Sequence, residues 1–468
     1  MKIFLISGSV SGEKRYGKLK SVGSYTQPYG LLSVAAILES HGHEIEVFDR
    51  EVQDCNDDIL KEIIEKEKPD LIGMAVFTIG YKEAIQTATL FKKYSKIPIM
   101  VGGPHAFVDF ENFSKNECFD YFIIGEGEIT TLELVSALSN KTYLEEINGL
   151  AWRKNGKIKK NPPRERMKDI DILPFPAFHL LDKLSEYHPS PLGYRYRPFF
   201  PLVTSRGCPY HCVFCSTIWG HRWVAHSSDY VLKLLEHLVN KFGAREIWFA
   251  EDTFVIDKKR VAEICQGIID RKLKLSWSCM ANIHPLDKEL LILMKRAGCW
   301  QMQVGLEAGN DQVLKFIGKN TTKEMIREKV KLIYEAGIQP RGYFILDHLI
   351  DTKETMQETI DFAMSLPLYS ADFHLLQLPL GSRAREIAHD YGIVDYNTDF
   401  LTGYSSEGLS FVPKGMDKEY LFRTQRKAHL KFFLRPKQIL RMISTIKSSE
   451  DIKRYFLIFI AGIRTIFG

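Results

Sequence analysis

Two series of short apolar runs, alternating with stretches of helical spacing, restrict what this chain can fold into. In the first series the runs are KIFLIS (2–7), HEIEVFD (43–49), DLIGMAVFT (70–78), IPIMVGG (97–103) and YFIIGEGE (121–128). Tyr29–His41, Tyr81–Tyr94 and the stretch after Thr130 carry the helices, the first closed by Gly42. Strands that alternate with helices build a parallel sheet covered on both faces. The expectation for residues 1–150 is therefore an α/β domain of the Rossmann-like, flavodoxin-like kind. Ligands of such sheets sit outside the carboxyl ends of the strands. Those ends are Ser7–Gly8–Ser9, Thr78, Gly102–Gly103–Pro104–His105 and Gly125–Glu126–Gly127–Glu128.

Seven prolines between positions 162 and 198 then interrupt every long element, so 151–194 reads as a proline-rich linker laid on the surface. Alternation resumes with FPLVTS (200–205), EIWFAED (246–252), LSWSCMA (275–281), QMQVGLEAG (301–309), GYFILDH (342–348) and FHLLQLPL (373–380). Six such units over 195–400 imply a second parallel domain, an open sheet or a partial TIM-like (β/α)6 barrel. Residues 401–468 are expected to form a helical C-terminal extension.

At 45% hydrophobic and 26% charged residues, the 468-residue chain has the composition of an ordinary globular protein. Its net charge of +5 does not call for nucleic acid. No run of roughly 18 apolar residues could span a bilayer. MKIFLISGS lacks the apolar core and cleavage site of a signal peptide. Eight cysteines in such a length make no disulfide framework, and a reduced cytoplasm is the expected compartment.

Three of those cysteines, Cys208, Cys212 and Cys215, fall within SRGCPYHCVFCS (205–216), directly after the first strand of the second series. In a parallel barrel the loops after the strands form the functional face. A structural zinc site needs a fourth ligand. His211 lies inside the loop, but its neighbour Cys212 leaves it little room to join the same ion. Three thiolates suit a cubane iron–sulfur cluster with one iron left open to an exogenous ligand. A zinc knuckle is the bland alternative.

This spacing resembles that of the radical S-adenosylmethionine (radical SAM) superfamily, in which an aromatic such as Phe214 before the last cysteine is also typical. The resemblance covers roughly residues 195–400. It implies a 4Fe-4S cluster on the three cysteines, with S-adenosylmethionine on the open iron, cleaved to a 5′-deoxyadenosyl radical. It also implies that Ala250–Glu251–Asp252 contact the methionine amino group and that Glu307, in VGLEAGN, meets the ribose hydroxyls. Glu251 as a helix N-terminal acid and Glu307 as a structural hydrogen-bonder are the competing readings. GYFILDHLIDTKET (342–355) departs from relatives by replacing two central glycines. Asp347 and His348 stand there instead, as substrate-facing acid/base groups or as local structural replacements. Cys279 and Cys299 read as buried thiols.

The first domain resembles the cobalamin-binding module that precedes many radical SAM domains, through residues 27–49, 97–107 and 122–134. The likeness assigns the corrin to Gly102, Gly103, Pro104, His105, Gly125, Glu126 and Gly127, with glycines permitting close backbone approach. The Asp-x-His-x-x-Gly motif that supplies an axial histidine elsewhere is absent, which leaves Thr78 as the residue facing cobalt. A degenerate Rossmann-like domain with structural glycines is the alternative.

Together the resemblances imply a cobalamin-dependent radical SAM enzyme, a methyltransferase acting on an unactivated carbon of a small molecule or lipid. An electron donor such as flavodoxin or ferredoxin would serve it. A ring-forming enzyme of the anaerobic porphyrin-ester cyclase type is the runner-up, and a non-catalytic cobalamin or redox sensor is the alternative of another class. From Arg423 to Gly468 the chain carries eleven Lys/Arg against two Asp/Glu, interleaved with apolar residues. That tail reads either as a helical cap on the barrel or as an interfacial segment lying on an anionic membrane.

Overall fold

The computed structural model describes residues 1–8, 15–16, 22–52, 55–216, 218–396, 409–444, 446, 451–453, 455–458 and 460. Ser9 lies outside the described residues. The chain divides into two compact units, Met1–Arg15 with Tyr25–Tyr187, and Tyr16–Ser24 with His188–Gly468.

The first unit is built on β1 (Lys2–Gly8), β2 (Glu44–Phe48), β3 (Leu71–Val76), β4 (Ile99–Gly102), β5 (Tyr121–Ile123), β6 (Leu150–Lys154) and β7 (Lys157–Lys160). The sheet order is β2-β1-β3-β4-β5-β6-β7. The first five strands run parallel, and β6 and β7 are antiparallel. The apolar runs form the core for the expected reason: Phe4, Ile6, Ile72, Met74, Ile99 and Val101 are buried against Leu60, Ile64, Ala84, Ala88 and Phe91. Those last residues lie on helices Asp57–Glu67 and Tyr81–Tyr94. The helix at Asp57–Glu67 is additional to those read from the sequence. Asn56 caps it by accepting from the Ile59 amide at 2.9 Å, and Asp57 and Asp58 complement its dipole.

The stretch assigned to a linker differs at its start. Residues 150–160 form the β6–β7 hairpin and extend the first sheet. Asn155 and Gly156 occupy the turn at φ 52° and 75°, the geometry an Asn-Gly pair favours in a two-residue hairpin loop. The remaining proline-rich segment is tied to this unit through specific bonds. The Met167 amide donates to Glu126 Oε2 at 2.7 Å, the Ala177 amide to Leu32 O at 3.1 Å, and the Tyr187 hydroxyl to Asp49 Oδ2 at 2.8 Å.

In the second unit six parallel strands lie side by side: β8 (Phe199–Leu202), β9 (Glu246–Phe249), β10 (Ser276–Ala281), β11 (Cys299–Glu307), β12 (Gln339–Ile345) and β13 (Ser370–His374). Their order is sequential from β8 to β13, so each strand–helix unit adds on the same side, which gives a partial barrel. The sixth strand begins and ends earlier than its apolar run suggests, and Leu375–Leu380 continue as loop.

The open edge at β13 is covered by the C-terminal extension. Helix Lys418–Phe433 buries Leu421, Gln425, Ala428 and Phe432. Gln425 Nε2 donates to Phe373 O at 2.8 Å, and the Phe373 amide meets His429 Nε2 at 3.2 Å. A sheet edge left bare is a template for unwanted pairing, and these side chains satisfy its backbone. The first helix of the tail is thus a cap, placed on the barrel's edge rather than its mouth.

Candidate active site

The cysteine loop leaves the partial barrel at the carboxyl end of β8 and is held from several sides. The Val213 amide donates to Ile317 O at 2.9 Å, the Ala384 amide to Val213 O at 2.8 Å, and Ser216 Oγ to Leu380 O at 2.7 Å. Val213 and Phe214 pack against a buried cluster of Leu349, Leu376, Leu378, Ala384, Ala388 and Phe411. Gly318 abuts the loop so closely that a Cβ there would meet His211 O at 2.9 Å. His211 faces His221, ring centres 3.6 Å apart, rather than the cysteines.

Cys208 and Cys212 are half-buried and Cys215 is exposed, all three as free thiols. Burial pushes each thiol above its ordinary range, Cys215 to about 12, and neighbouring thiolates add to the rise at Cys212 and Cys215. Metal binding must therefore displace protons, which a multiply charged cluster does readily. Among the described residues no three His, Cys, Asp or Glu side chains are arranged to hold a single metal ion. A cubane takes each thiolate on a different iron, unlike a zinc knuckle.

Beside the cysteines stands a buried ion pair. Lys319 Nζ donates to Glu307 Oε1 at 2.9 Å, and both residues are nearly sealed from solvent. Glu307 ends β11 at a bulge against β12, with φ +63°. A non-glycine residue in that region stores strain, which collects at functional sites. Gly305 makes the pair possible, because a Cβ there would lie 2.3 Å from Glu307 Oε1 and 3.0 Å from Lys319 Nζ. Burial alone would lower the lysine's pKa, but Glu307 and the thiolates of Cys212 and Cys208 outweigh it and raise it. Sequence reasoning missed Lys319. Its signal was a lysine following a glycine two helical turns beyond the VGLEAGN run.

The two acids after β9 part ways. Glu251 is buried, accepts from Thr204 Oγ1 at 2.8 Å, and is pushed up to about 6 by burial against the opposing pull of Arg260. Asp252 is exposed and close enough to Cys208 and Cys215 for its charge to raise both thiols. Of the pair, the structure puts Asp252 next to the cysteines and Glu251 within the framework.

Asp347 and His348 are not placed as substrate-facing groups. Both are fully buried, and Asp347 Oδ2 and His348 Nε2 have no accessible surface. Asp347 Oδ1 accepts from the Leu376 amide, while the His348 ring lies 5.5 Å from Phe214 of the cysteine loop. Burial pushes the carboxyl up to about 8 and the imidazole down to about 3. Cys279 and Cys299 are buried, as expected.

In the first unit the strand ends form a second site. Thr78 is half-buried in a short 3-10 turn after β3, with its hydroxyl 3.3 Å from His105 Nδ1. His105 itself is buried, stacked on Tyr81 at 4.4 Å and edge-on to Phe113 at 5.1 Å. It supports Thr78 from within and presents no free ring to a ligand. Gly103 has φ 101°, and a Cβ on it would meet the Val76 backbone at 2.9 Å. Here the glycine serves the approach of β4 to β3. Gly102 likewise faces Ile123 at 3.2 Å. Pro104 opens the short helix Pro104–Val108. Gly125, at φ 91°, has open space around its Cβ position, and Gly127 has only loose contacts. Glu126 is buried and used to hold Met167.

Phe77 and Phe107, just beyond β3 and β4, are 56% and 38% exposed. Apolar rings left bare at the ligand end of a parallel sheet fit the broad apolar face of a corrin. Sequence reasoning passed over them because each merely prolongs an apolar run.

A partial barrel whose first strand feeds a cradled three-cysteine loop is the arrangement that the resemblance to the radical SAM superfamily implies. Residues 18–135 match the B12 binding domain family and residues 202–363 the radical SAM superfamily. An uncharacterised methyltransferase of Pyrococcus horikoshii is 32% identical over 430 residues, 90% of this chain and 91% of that one. Cytidylyl-2-hydroxyethylphosphonate methyltransferase of Streptomyces wedmorensis is 25% identical over 454 residues, 84% of each chain. An anaerobic magnesium-protoporphyrin IX monomethyl ester cyclase of Rubrivivax gelatinosus is 27% identical over 348 residues, 72% of this chain and 61% of that one. The cobalamin-dependent radical enzyme OxsB, with aqua-cobalamin and S-adenosylmethionine bound, shares the fold at TM-score 0.77 and 19% identity, covering 99% of this chain and 72% of that one.

The chain belongs to the cobalamin-dependent radical SAM family. Its cofactors are a 4Fe-4S cluster, S-adenosylmethionine and cobalamin.

Proposed function

We propose that this protein methylates an unactivated carbon of a small-molecule substrate. When bound, the cluster and S-adenosylmethionine supply a carbon-centred radical and cobalamin carries the methyl group. The observation that carries the reading is the cradled cysteine loop with the Lys319–Glu307 pair beside it, in a chain that also holds a B12-binding unit.

Cys208, Cys212 and Cys215 hold the cluster, and the loop's bonds to Ile317, Ala384 and Leu380 fix their spacing. Asp252 meets the methionine ammonium, opposite in charge and exposed beside Cys208 and Cys215. Glu307 accepts from ribose hydroxyls with the lone pairs that Lys319 leaves available. Lys319 holds that carboxylate in place at 2.9 Å and offsets thiolate charge nearby. On the first unit, Phe77 and Phe107 would contact the corrin and Thr78 would line its site. A flavodoxin or ferredoxin of a reducing cytoplasm delivers the electron.

Anaerobically reconstituted protein, incubated with reductant and methyl-deuterated S-adenosylmethionine, tests the reading. Methyl transfer with radical chemistry yields 5′-deoxyadenosine and S-adenosylhomocysteine together, and label in the product. Ring formation without methyl transfer yields 5′-deoxyadenosine alone. A sensor yields neither, and that result would remove the enzymatic reading.

A further inference from the structure

The edge cap leaves part of the C-terminal extension with a different job. Helix Pro436–Ser444 is anchored along the face that carries Gln438 and Arg441. Gln438 donates to Tyr369 O, and Arg441 to Leu368 O. Further on, the Tyr455 hydroxyl meets the Tyr369 hydroxyl at 2.7 Å and fixes the helical residues 451–453 and 455–458 to the same edge. These anchors turn the opposite face outward. There Leu434, Leu440, Ile443, Ile452 and Phe456 are 58–67% exposed, and Ile439 is 42% exposed.

Single exposed apolar side chains are ordinary, but six large ones in 23 residues mark a contact surface. Its charge is one-sided. Lys437 and Lys453 are exposed among the apolar residues, and the one acid described between 434 and 460, Asp451, is buried. Across Arg423–Gly468 the count is eleven Lys/Arg against two Asp/Glu.

We infer that the outward side chains of Leu434, Ile439, Leu440, Ile443, Ile452 and Phe456 form a docking face for an anionic lipid surface. Leu440, Ile443, Ile452 and Phe456 enter the headgroup boundary while Lys437 and Lys453 meet lipid phosphates. An apolar stripe flanked by lysines binds such surfaces in the interface plane through buried area plus charge. No helix among the described residues is long and apolar enough to cross a membrane, which agrees with lying on one. A self-associating patch would put Lys437 and Lys453 against their own copies.

The full-length, cluster-loaded protein is sedimented with phosphatidylcholine vesicles, with and without phosphatidylglycerol. Binding is expected on the anionic vesicles and release at high salt, because surface attraction is screened within about 8 Å at physiological ionic strength. The double variant Leu440→Ser/Ile443→Ser should lose at least about tenfold in partitioning, since burial of apolar area supplies much of the binding. Lys437→Glu/Lys453→Glu should abolish the preference for phosphatidylglycerol. Both variants alter outward side chains, and unchanged cluster absorbance verifies their folding. No sedimentation with either vesicle, or equal binding to neutral vesicles that survives the charge reversal, overturns the inference. So does a concentration-dependent dimer, without vesicle binding, that the Leu440→Ser/Ile443→Ser change dissociates.

Discussion

Lys319 and Glu307 form an ion pair at 2.9 Å with each side chain only 9% exposed, and Glu307 holds it from a left-handed backbone position. A buried pair costs desolvation on both sides, so its persistence at a bulged strand end points to a role in the site rather than to stability. Lys319→Met leaves a carboxylate buried without a cation and should destabilise the protein by about 3–5 kcal/mol. Lys319→Met with Glu307→Gln should recover most of that loss in anaerobic urea titration. It should still fail to form 5′-deoxyadenosine. Recovery of cleavage by the double variant would show that the pair is structural only.

Gly305 and Gly125 separate steric need from backbone freedom. Alanine at 305 would drive its methyl into Glu307 Oε1 at 2.3 Å, so the pair must break or the strand must shift. At 125 nothing lies within 4 Å, and the cost is that of a positive φ alone, about 1 kcal/mol. Gly305→Ala should therefore lower adenosylmethionine cleavage severely, whereas Gly125→Ala should leave it intact. Equal effects on cleavage would contradict the assignment.

The strands were legible because period and burial agree: each apolar run from KIFLIS to GYFILDH places a core strand. The cysteine loop was legible for another reason, its spacing being a local property of twelve residues. What stayed hidden depends on contacts made across the sequence. Lys319 matters through a carboxylate 12 residues away and a loop over 100 residues upstream, and nothing local distinguishes it from a surface lysine. His105 looks like a ligand in GGPH, yet Tyr81 and Phe113 close over it. Asp347 and His348 look like an acid and a base, but burial takes away access to both. The β6–β7 hairpin is a different failure. Asn155–Gly156 is a strong local turn signal, and the prolines just after it drew the whole stretch into a linker.

Asp347, His348 and Asp351 give the protein a pH dependence with a definite window. Burial pushes Asp347 up to about 8, with the Leu376 amide opposing and Asp351 reinforcing, and pushes Asp351 up to about 7. Carboxyls with raised folded pKa bind more protons folded than unfolded, so their stabilisation is lost as pH rises toward those values. His348, lowered to about 3 from 6.5, acts oppositely, and its contribution is lost as pH falls below 6.5. The two effects compete below that point. Between about pH 6.5 and 8 the carboxyls alone remain and stability should decline. In Asp347→Asn, whose amide oxygen still accepts from Leu376, the decline should be shallower in urea titrations across that range. Parallel slopes for the two proteins would refute the assignment.

Cys208→Ala, Cys212→Ala and Cys215→Ala should each abolish cluster absorbance and adenosylmethionine cleavage, because an iron without its thiolate is lost. Cys265 is wholly buried on helix Lys258–Asp270, away from the loop in sequence and exposure, and Cys265→Ala should retain both. A loop variant that kept full cleavage would displace that cysteine from the ligand set.

His105 is where a protein histidine on the cobalamin can be tested. Its ring is buried between Tyr81 and Phe113, its pKa is lowered by burial, and Nδ1 is turned to Thr78 at 3.3 Å. A neutral imidazole fixed in a core cannot swing out to a metal without vacating a cavity. His105→Ala should then cost about 3 kcal/mol in stability, as truncation of a buried ring does. Cobalamin binding should weaken only as far as Thr78 loses its support. Electron paramagnetic resonance of the cob(II)alamin-loaded protein is the direct measurement. No nitrogen splitting from the protein is expected in the parent, and the spectrum of His105→Ala should show the same cobalt hyperfine pattern. Splitting present in the parent and gone in His105→Ala would mean that the histidine leaves its stack to bind the metal, and Thr78 would lose its place beneath it.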